Sequence, residues 1–167
     1  GTVIIAAEKA DQLAAILSQE DLDELELLQQ SLSVLKEGRM GRLAGVSAMH
    51  DVTEGGTLGA IWEVCEASGT GCTIWGSEIV IAGITQKLAS LFEFNPLNMI
   101  GSGSMLMTIS PEKAQTLEAE AIRQGVVLRR IGVIEPDPAQ RRMIGKDVEI
   151  VTIGKPDVDP LYRVLGF

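Results

Sequence analysis

The segment His50–Gly56, with the sequence HDVTEGG, holds the residue types most suited to chemistry in this chain. A short apolar run leads into it and an amphipathic pattern follows it, so it is predicted to join a strand to the start of a helix. Its two glycines let the backbone turn tightly and approach a ligand. The free amides and the positive dipole end of such a helix suit a phosphate or a carboxylate. The alternative is structural: Asp51 or Thr53 caps the helix, and the glycines only turn the chain.

His50 is the only histidine of the chain. Where a strand becomes a loop, an imidazole could hold a substrate oxygen or act as a general acid or base, so His50 and Asp51 are the best catalytic candidates. A histidine hydrogen-bonded at the edge of the core is the structural alternative, and both stay open. One nitrogen and the carboxylates of Asp51 and Glu54 make a poor zinc site, so no metal site is predicted. These carboxylates could still share Mg²⁺ with nucleotide phosphates.

A second loop of small residues, Gly101–Ser104, comes directly before the apolar run Met105–Ile109. Because small residues allow a close approach, the amides of Ser102 and Gly103 could contact a ligand. The alternative is a plain turn that enters a strand covered on both faces.

Cys65 and Cys72 are the only cysteines of the chain. Cys65 lies on the apolar face of the helix predicted after the glycines, and Cys72 lies in the next predicted strand. Cys65 is therefore predicted to be a buried thiol. Because neither cysteine lies in a Cys-x-x-Cys pair or beside His50, no nucleophilic or redox role is predicted for them. So few cysteines, without a secretory pattern at the start, favour a reducing, cytoplasmic setting.

Helical and strand patterns alternate along the whole chain, without a low-complexity linker or an internal repeat. Ser18 followed by Asp21 predicts a helix start, and Ser110-Pro111 predicts another. The alternation predicts one α/β domain over residues 1–167, with a mixed sheet covered by helices. The strand-like stretches are Gly1–Ala6, Gly45–Met49, Cys72–Trp75, Met105–Ile109, Val126–Ile134 and Val148–Ile153. The helix-like stretches lie within Ala7–Gly38, Leu58–Ala67, Thr85–Phe92 and the residues from Pro111 to Gly125, the last with a predicted buried stripe of Ala114, Leu117, Ala121 and Ile122.

The chain has 167 residues, of which 46% are hydrophobic and 22% are charged. This composition is typical of a globular domain and excludes a disordered or collagen-like chain. Lys and Arg number 14 against 23 Asp and Glu, which gives a net charge of -9. Nucleic acids and anionic membranes need a basic surface, so neither is an expected partner. No apolar run approaches the roughly 20 residues of a membrane span.

The HDVTEGG segment, the helical stretch after it and the sequence SGTG at Ser68–Gly71 resemble the C-terminal domain of the aminoimidazole ribonucleotide (AIR) synthetase superfamily. This superfamily includes purine-biosynthetic synthetases, selenophosphate synthetase, thiamine-monophosphate kinase and the hydrogenase-maturation (HypE) type. Gly1–Ala6, Asn95–Leu97 and Gly101–Leu106 are similar to parts of the hydrogenase-maturation branch. The resemblance covers nearly the whole chain.

The resemblance implies an α/β sandwich that faces an ATP-binding N-terminal domain across a cleft. That domain, absent from this chain, would bind most of the ATP and Mg²⁺ and form most of a homodimer contact. The implied chemistry is phosphoryl transfer to a carbonyl or amide oxygen of a small-molecule or protein-linked substrate, with other hydrogenase-maturation proteins as partners. The chain alone is then expected to be inactive. The residues carried over to the cleft are His50, Asp51, Thr53, Glu54, Gly55, Gly56, Ser102 and Gly103.

The end of the chain departs from the hydrogenase-maturation pattern. The dehydratases of that branch carry a cysteine in a Pro-Arg-Ile-Cys-type tail, whereas Pro160–Phe167 contains no thiol. A divergent paralogue, another branch of the superfamily and a non-catalytic binding or scaffold module are therefore alternatives. The substrate and the branch stay open at the level of sequence.

Overall fold

The computed structural model describes residues 1–145 and 147–167, and it confirms the predicted α/β domain. The helices are α1 Thr2–Glu8, α2 Ala10–Leu13, α3 Gln19–Gln30, α4 Leu35–Ala44, α5 Gly56–Ser68, α6 Gly83–Leu91, α7 Pro111–Gln124 and α8 Pro160–Leu165. The strands are β1 Ala48–Asp51, β2 Gly71–Trp75, β3 Met105–Thr108, β4 Gly132–Glu135, β5 Arg141–Ile144 and β6 Ile150–Thr152. Short 3-10 turns cover Gly76–Glu78 and Pro96–Asn98.

The strands form two sheets. β1 pairs antiparallel with β3, so that His50 lies opposite Leu106 and Asp51 lies opposite Met105. The other sheet has the order β4-β2-β5-β6 and is mixed, because β2 runs antiparallel to β4 and parallel to β5. The predicted mixed sheet is therefore present, and β1 with β3 stands apart from it as a pair.

α5 is held in place by its apolar face. Ile61 and Cys65 of α5 share a buried cluster with Cys72 and Ile74 of β2 and with Ile153. Burying such side chains contributes about 1.5–3 kcal/mol each, so this layer is a main source of stability. Because the cluster fixes the direction of α5, it also fixes the turn that precedes the helix.

The thiol of Cys72 is completely buried, and this burial, together with the neighbouring Cys65, raises its pKa to about 12. The thiol is therefore protonated at neutral pH and is a poor nucleophile. We expect neither cysteine to react with Ellman's reagent in the folded chain, and both to react after unfolding in guanidinium chloride. Fast reaction of the folded chain would show that the layer between α5 and β2 opens readily.

The first residues form a helix, so the strand predicted for Gly1–Ala6 is wrong. Four β-branched residues in a row favour a strand by propensity. In the structure, however, Ile5 is completely buried in a cluster with Leu13, Ile84 and Leu88. The contacts of α1 with this cluster outweigh a local preference that is worth only a few tenths of a kcal/mol per residue, roughly.

α3 begins after Ser18, as predicted. The Ser18 hydroxyl accepts a hydrogen bond from the Asp21 amide at 3.2 Å, and the Asp21 carboxylate accepts one from the Ser18 amide at 2.7 Å. A further hydrogen bond from Lys87 of α6 helps to lower the pKa of Asp21 to about 2. This capping box fixes the start of α3, and Lys87 ties it to α6.

α7 begins after Ser110 and ends at Gly125, as predicted, but its buried stripe is narrower. Leu117 and Ala121 are buried, whereas Ile122 is 81% exposed. One residue turns an α-helix by about 100°, so Ile122 points away from the contact that Ala121 makes. The prediction for Ile122 is therefore wrong.

The last third of the chain holds the largest differences from prediction. Only Gly132–Ile134 of the stretch Val126–Ile134 is strand, and only Ile150–Thr152 of Val148–Ile153. β5 was missed because Arg141–Ile144 begins with two arginines and lacks alternating apolar residues. α8 was missed although Asp159 before Pro160 is a typical helix start.

Candidate functional site

The turn between β1 and α5 has the backbone that its glycines predict. Gly55 and Gly56 have φ values of 78° and 65°, in the left-handed region. A Cβ on Gly56 would lie 2.4 Å from the Leu97 carbonyl oxygen, and one on Gly55 would lie 2.8 Å from Cβ of Pro156. The Gly56 amide donates a hydrogen bond to the Thr53 carbonyl oxygen at 3.1 Å. Both glycines are therefore required by conformation and by close packing.

The Asp159 carboxylate accepts a hydrogen bond from the Gly55 amide, which lies in the turn that the sequence predicts to bind an anion. Its Oδ2 accepts hydrogen bonds from the amides of Gly55 at 3.1 Å and of Ile100 at 2.7 Å. Its Oδ1 accepts a third from the Leu161 amide at 2.9 Å, and the residue is only 4% exposed. The chain thus supplies its own anion at this turn. The prediction that the Gly55 amide is free for a phosphate is not met by this geometry.

The imidazole of His50 has a partner at each nitrogen. Its Nε2 lies 2.8 Å from Oε2 of Glu63 on α5, and its Nδ1 lies 2.6 Å from the Asp51 carbonyl oxygen. The His50 side chain remains 28% exposed. Glu63 therefore orients the ring between β1 and α5 and leaves part of it open to a ligand.

A cleft of about 370 Å³ lies beside the turn, and its lining includes Glu54, Glu63, Asp157 and Tyr162. The Tyr162 hydroxyl donates a hydrogen bond to the Glu54 carboxylate. The carboxylates in this lining give the cleft a negative potential. Such a potential disfavours a phosphate and favours a neutral or cationic ligand.

Tyr162 is the only tyrosine of the chain, and its hydrogen bond to Glu54 raises the pKa of the phenol. The fold favours the neutral phenol, so this contact adds stability below the ordinary tyrosine pKa of about 10 and loses it as the pH rises through the higher folded value. An ultraviolet titration should give a midpoint above that of free tyrosine. Glu54→Gln should lower this midpoint, whereas Glu78→Gln at an exposed position away from the cleft should leave it unchanged. Equal midpoints in all three proteins would show that the contact is absent in solution.

The Gly101–Ser104 loop lies beside the end of β1. The Val52 amide donates a hydrogen bond to the Ser104 carbonyl oxygen at 2.9 Å. A Cβ on Gly103 would lie 2.3 Å from the Ser31 carbonyl oxygen at the end of α3. Packing therefore explains Gly103, while Ser102 is exposed at the surface.

The structure gives the predicted residues different surroundings. Glu54 lines the acidic cleft, and His50 contacts Glu63 of that lining, while Asp51 and Thr53 are exposed on the turn. Gly55 is the N-cap residue of α5 and has no side chain with which to cap the helix. The alternative in which Asp51 or Thr53 caps the helix is therefore also not met. The assignment of these residues to a substrate site stays a prediction.

Three residues of the site were missed from the sequence: Glu63, Asp159 and Tyr162. The Asp159-Pro160 pair could have indicated a helix start and hence a carboxylate with hydrogen-bonding capacity at that point. Nothing in the spacing indicated that this carboxylate reaches Gly55, because 104 residues separate the two. Glu63 lies outside the apolar face of α5, and no local pattern indicates that His50 contacts it.

The resemblance implies that ATP and Mg²⁺ are bound mainly by a separate N-terminal domain, and the residues around this turn do not themselves fit either group. The Gly55 amide is occupied, and the cleft is lined by carboxylates. Within residues 1–145 and 147–167, no group of three or more His, Cys, Asp or Glu side chains is arranged to hold a metal ion. Every helix in the same part of the chain is too short or too polar to cross a membrane.

The four-stranded mixed sheet, the separate β1–β3 pair and the helices around them define a mixed α/β domain. The chain matches the family model of the AIR synthase related protein, C-terminal domain, over residues 1–145. The chain belongs to this family, which confirms the resemblance carried by the HDVTEGG segment. Asp159 lies beyond the matched residues.

Two curated relatives show where this domain occurs. A protein of Methanocaldococcus jannaschii named for hydrogenase expression and formation is 29% identical over 166 residues, which cover 91% of this chain and 47% of the relative. Phosphoribosylformylglycinamidine synthase subunit PurL of Mycolicibacterium vanbaalenii is 28% identical over 135 residues, 81% of this chain and 16% of that protein. The chain thus spans about half of the first relative and much less of the second.

Solved structures of the hydrogenase maturation protein HypE share the fold. The E. coli protein matches with a TM-score of 0.63 at 23% identity, over 71% of this chain and 37% of that one. A HypE structure in complex with ATP matches with a TM-score of 0.62 at 18% identity, over 71% and 38%. A HypE–HypF complex matches with a TM-score of 0.60 at 16% identity, over 79% and 41%. At these identities the likeness concerns the fold.

Proposed function

We propose that this chain is the substrate-binding C-terminal part of an ATP-dependent, HypE-like protein. In the complete protein, ATP and Mg²⁺ would be bound mainly by a separate N-terminal domain. The reaction would be a phosphoryl transfer that activates a carbonyl or amide oxygen. The relative from Methanocaldococcus jannaschii supports this branch, and the family match supports the position of the domain in the C-terminal part.

The observation that carries the proposal is the acidic cleft beside the His50–Gly56 turn. Glu54 and Glu63 line this cleft, and Glu63 orients the imidazole of His50. Carboxylates and an imidazole offer hydrogen-bond acceptors and donors to a neutral amide or carbonyl compound, whereas the carboxylates repel a polyphosphate. The geometry therefore supports a substrate site more than a phosphate site.

Each predicted residue then takes a distinct part in this proposal. His50 would contact the substrate, and the exposed side chains of Asp51 and Thr53 would face the other domain across the cleft. Gly55 and Gly56 would shape the turn without binding a ligand themselves. Ser102 would contribute a hydroxyl at the edge of the site, and Gly103 would keep its loop close to α3.

The proposal is tested by joining this chain to the nucleotide-binding half of a hydrogenase-maturation relative and measuring ATP turnover with candidate amide substrates. His50→Ala should lower kcat/KM by about 100-fold if the ring acts on the substrate. Ser77→Ala, an exposed residue of the 3-10 turn Gly76–Glu78, is the matched control and should leave turnover unchanged. Wild-type turnover in the His50 variant would overturn the site.

The same proposal extends to assembly and setting. A homodimer formed largely through the separate N-terminal domain, a cytoplasmic location and contacts with other hydrogenase-maturation proteins are the expected context. The fold shared with the HypE–HypF complex supports this last expectation. Size-exclusion chromatography of the joined protein should give a dimer, and a monomer would contradict this part of the proposal.

A further inference from the structure

The four-stranded sheet has an outer face, opposite α5, that combines apolar and basic side chains. Register places Trp75, Ile144 and Ile150 side by side on this face, because Trp75 pairs with Ile144 and Ile144 pairs with Ile150. Val133 pairs with Thr73, which lies two residues before Trp75 on the same face of β2. None of them belongs to a buried core cluster among the described residues, and Ile150 is 62% exposed. The face is therefore only partly covered by the chain itself.

Two arginines flank the apolar centre of this face. The guanidinium of Arg130 lies 5.8 Å from the centre of the Trp75 ring. Arg142 donates from Nε to the Thr73 hydroxyl at 3.1 Å, and that hydroxyl donates to Glu135 at 2.9 Å. The contact with Thr73 uses one of the five N–H donors of the Arg142 guanidinium.

Neither of these arginines belongs to an ion pair among residues 1–145 and 147–167. The ion pairs found in the described part of the chain involve His50, Lys87, Arg123 and Arg141, and neither Arg130 nor Arg142. The chain has a net charge of -9, so carboxylates are abundant elsewhere. A guanidinium over the Trp75 indole and a second one beside Thr73 fit a surface with carboxylates and apolar side chains.

The same chain presents such a surface on α3. This helix has the sequence QEDLDELELLQQ, with five carboxylates and no basic residue. Asp21 and Glu24 are engaged within the fold, but Glu20, Asp23 and Glu26 are exposed. Leu22 and Leu27 are also exposed, to 46% and 64%. α3 therefore carries exposed carboxylates that complement the two arginines, beside apolar side chains that could pack on those of the sheet face.

We propose that the outer face of the four-stranded sheet binds α3 of a second copy of this chain. The contact joins two different surfaces, so copies associate head to tail, as an open series or a ring. Exposed charge pairs make the association salt-sensitive, because the Debye length falls to about 4 Å at 0.5 M salt. This inference is independent of the function proposed for the cleft.

The test measures the mass of the chain by sedimentation equilibrium at low salt, against a monomer of 17.8 kDa. The wild-type chain should associate as its concentration rises, and the association constant should fall at least about tenfold in 0.5 M NaCl. Arg130→Glu with Arg142→Gln should abolish association. Arg39→Glu with Arg42→Gln makes the same charge change at exposed positions of α4 and should not.

A mixing experiment shows whether α3 is the segment that binds the sheet face, even if the arginine variant is less stable. Asp23→Lys with Glu26→Lys removes the acidic surface and should also give a monomer. Equal amounts of the sheet variant and the α3 variant should then form a one-to-one complex, because one retains α3 and the other retains the sheet face. A monomeric wild-type chain at low salt overturns the proposal. Association that survives in the α3 variant also overturns it, because another segment would then occupy the sheet face.

Discussion

Asp159→Ala is expected to lower the free energy of unfolding by about 4 kcal/mol, because three buried backbone amides lose their acceptor and an unsatisfied buried donor costs about 1–3 kcal/mol. The amides belong to Gly55, Ile100 and Leu161, on three separate parts of the chain. The carboxylate is 4% exposed, so water cannot easily replace it. Urea denaturation followed by tryptophan fluorescence measures the loss.

Two further variants test whether the three lost hydrogen bonds cause this decrease in the free energy of unfolding. Asp159→Asn keeps one acceptor oxygen and should have an intermediate stability, since its amide group must face a backbone N–H. Asp157→Ala removes a carboxylate from the same cleft, but an exposed one, and should change stability by less than about 0.5 kcal/mol. Equal losses for Asp159→Ala and Asp157→Ala would show that the three hydrogen bonds do not hold the turn.

Gly56→Ala is expected to destabilise the chain by more than about 3 kcal/mol, for two reasons that act together. The residue has a φ of 65°, where an L side chain is strained by about 1–2 kcal/mol. A Cβ there would also lie 2.4 Å from the Leu97 carbonyl oxygen, which belongs to the backbone and cannot rotate away. The turn or the 3-10 segment Pro96–Asn98 must therefore shift.

Gly125→Ala is the matched control for this prediction. Gly125 also has a φ of 65°, but nothing lies within 4 Å of its Cβ position. Its substitution should therefore cost only the backbone strain, about 1–2 kcal/mol. The difference between the two variants in urea denaturation measures the close packing at Gly56. Equal losses would mean that the turn relaxes and that this packing is unimportant.

These predictions change the interpretation of the HDVTEGG segment. The sequence favoured a backbone cradle for an anion, and the structure places the chain's own Asp159 at its first amide. The left-handed backbone of the two glycines thus serves close packing and an internal carboxylate. The groups that face the cleft are side chains, with Glu54 and Glu63 in its lining.

The sequence by itself determined the features that depend on neighbouring residues. The capping box at Ser18, the left-handed ends of α5 and α7, and the turn at Gly55 and Gly56 follow from local conformational preferences. The apolar face of α5 follows from residues three and four apart. The α/β class and the family follow from the alternation of these elements and from one specific segment.

Only the tertiary structure decided the features that join distant parts of the chain. Ile5 lies in a helix because of its contact with Ile84 and Leu88, although its neighbours favour a strand. Asp159 reaches Gly55 across 104 residues, and Glu63 meets His50 only because α5 packs back beside β1. Local patterns cannot contain such contacts, because their energy depends on which surfaces the folded chain brings together.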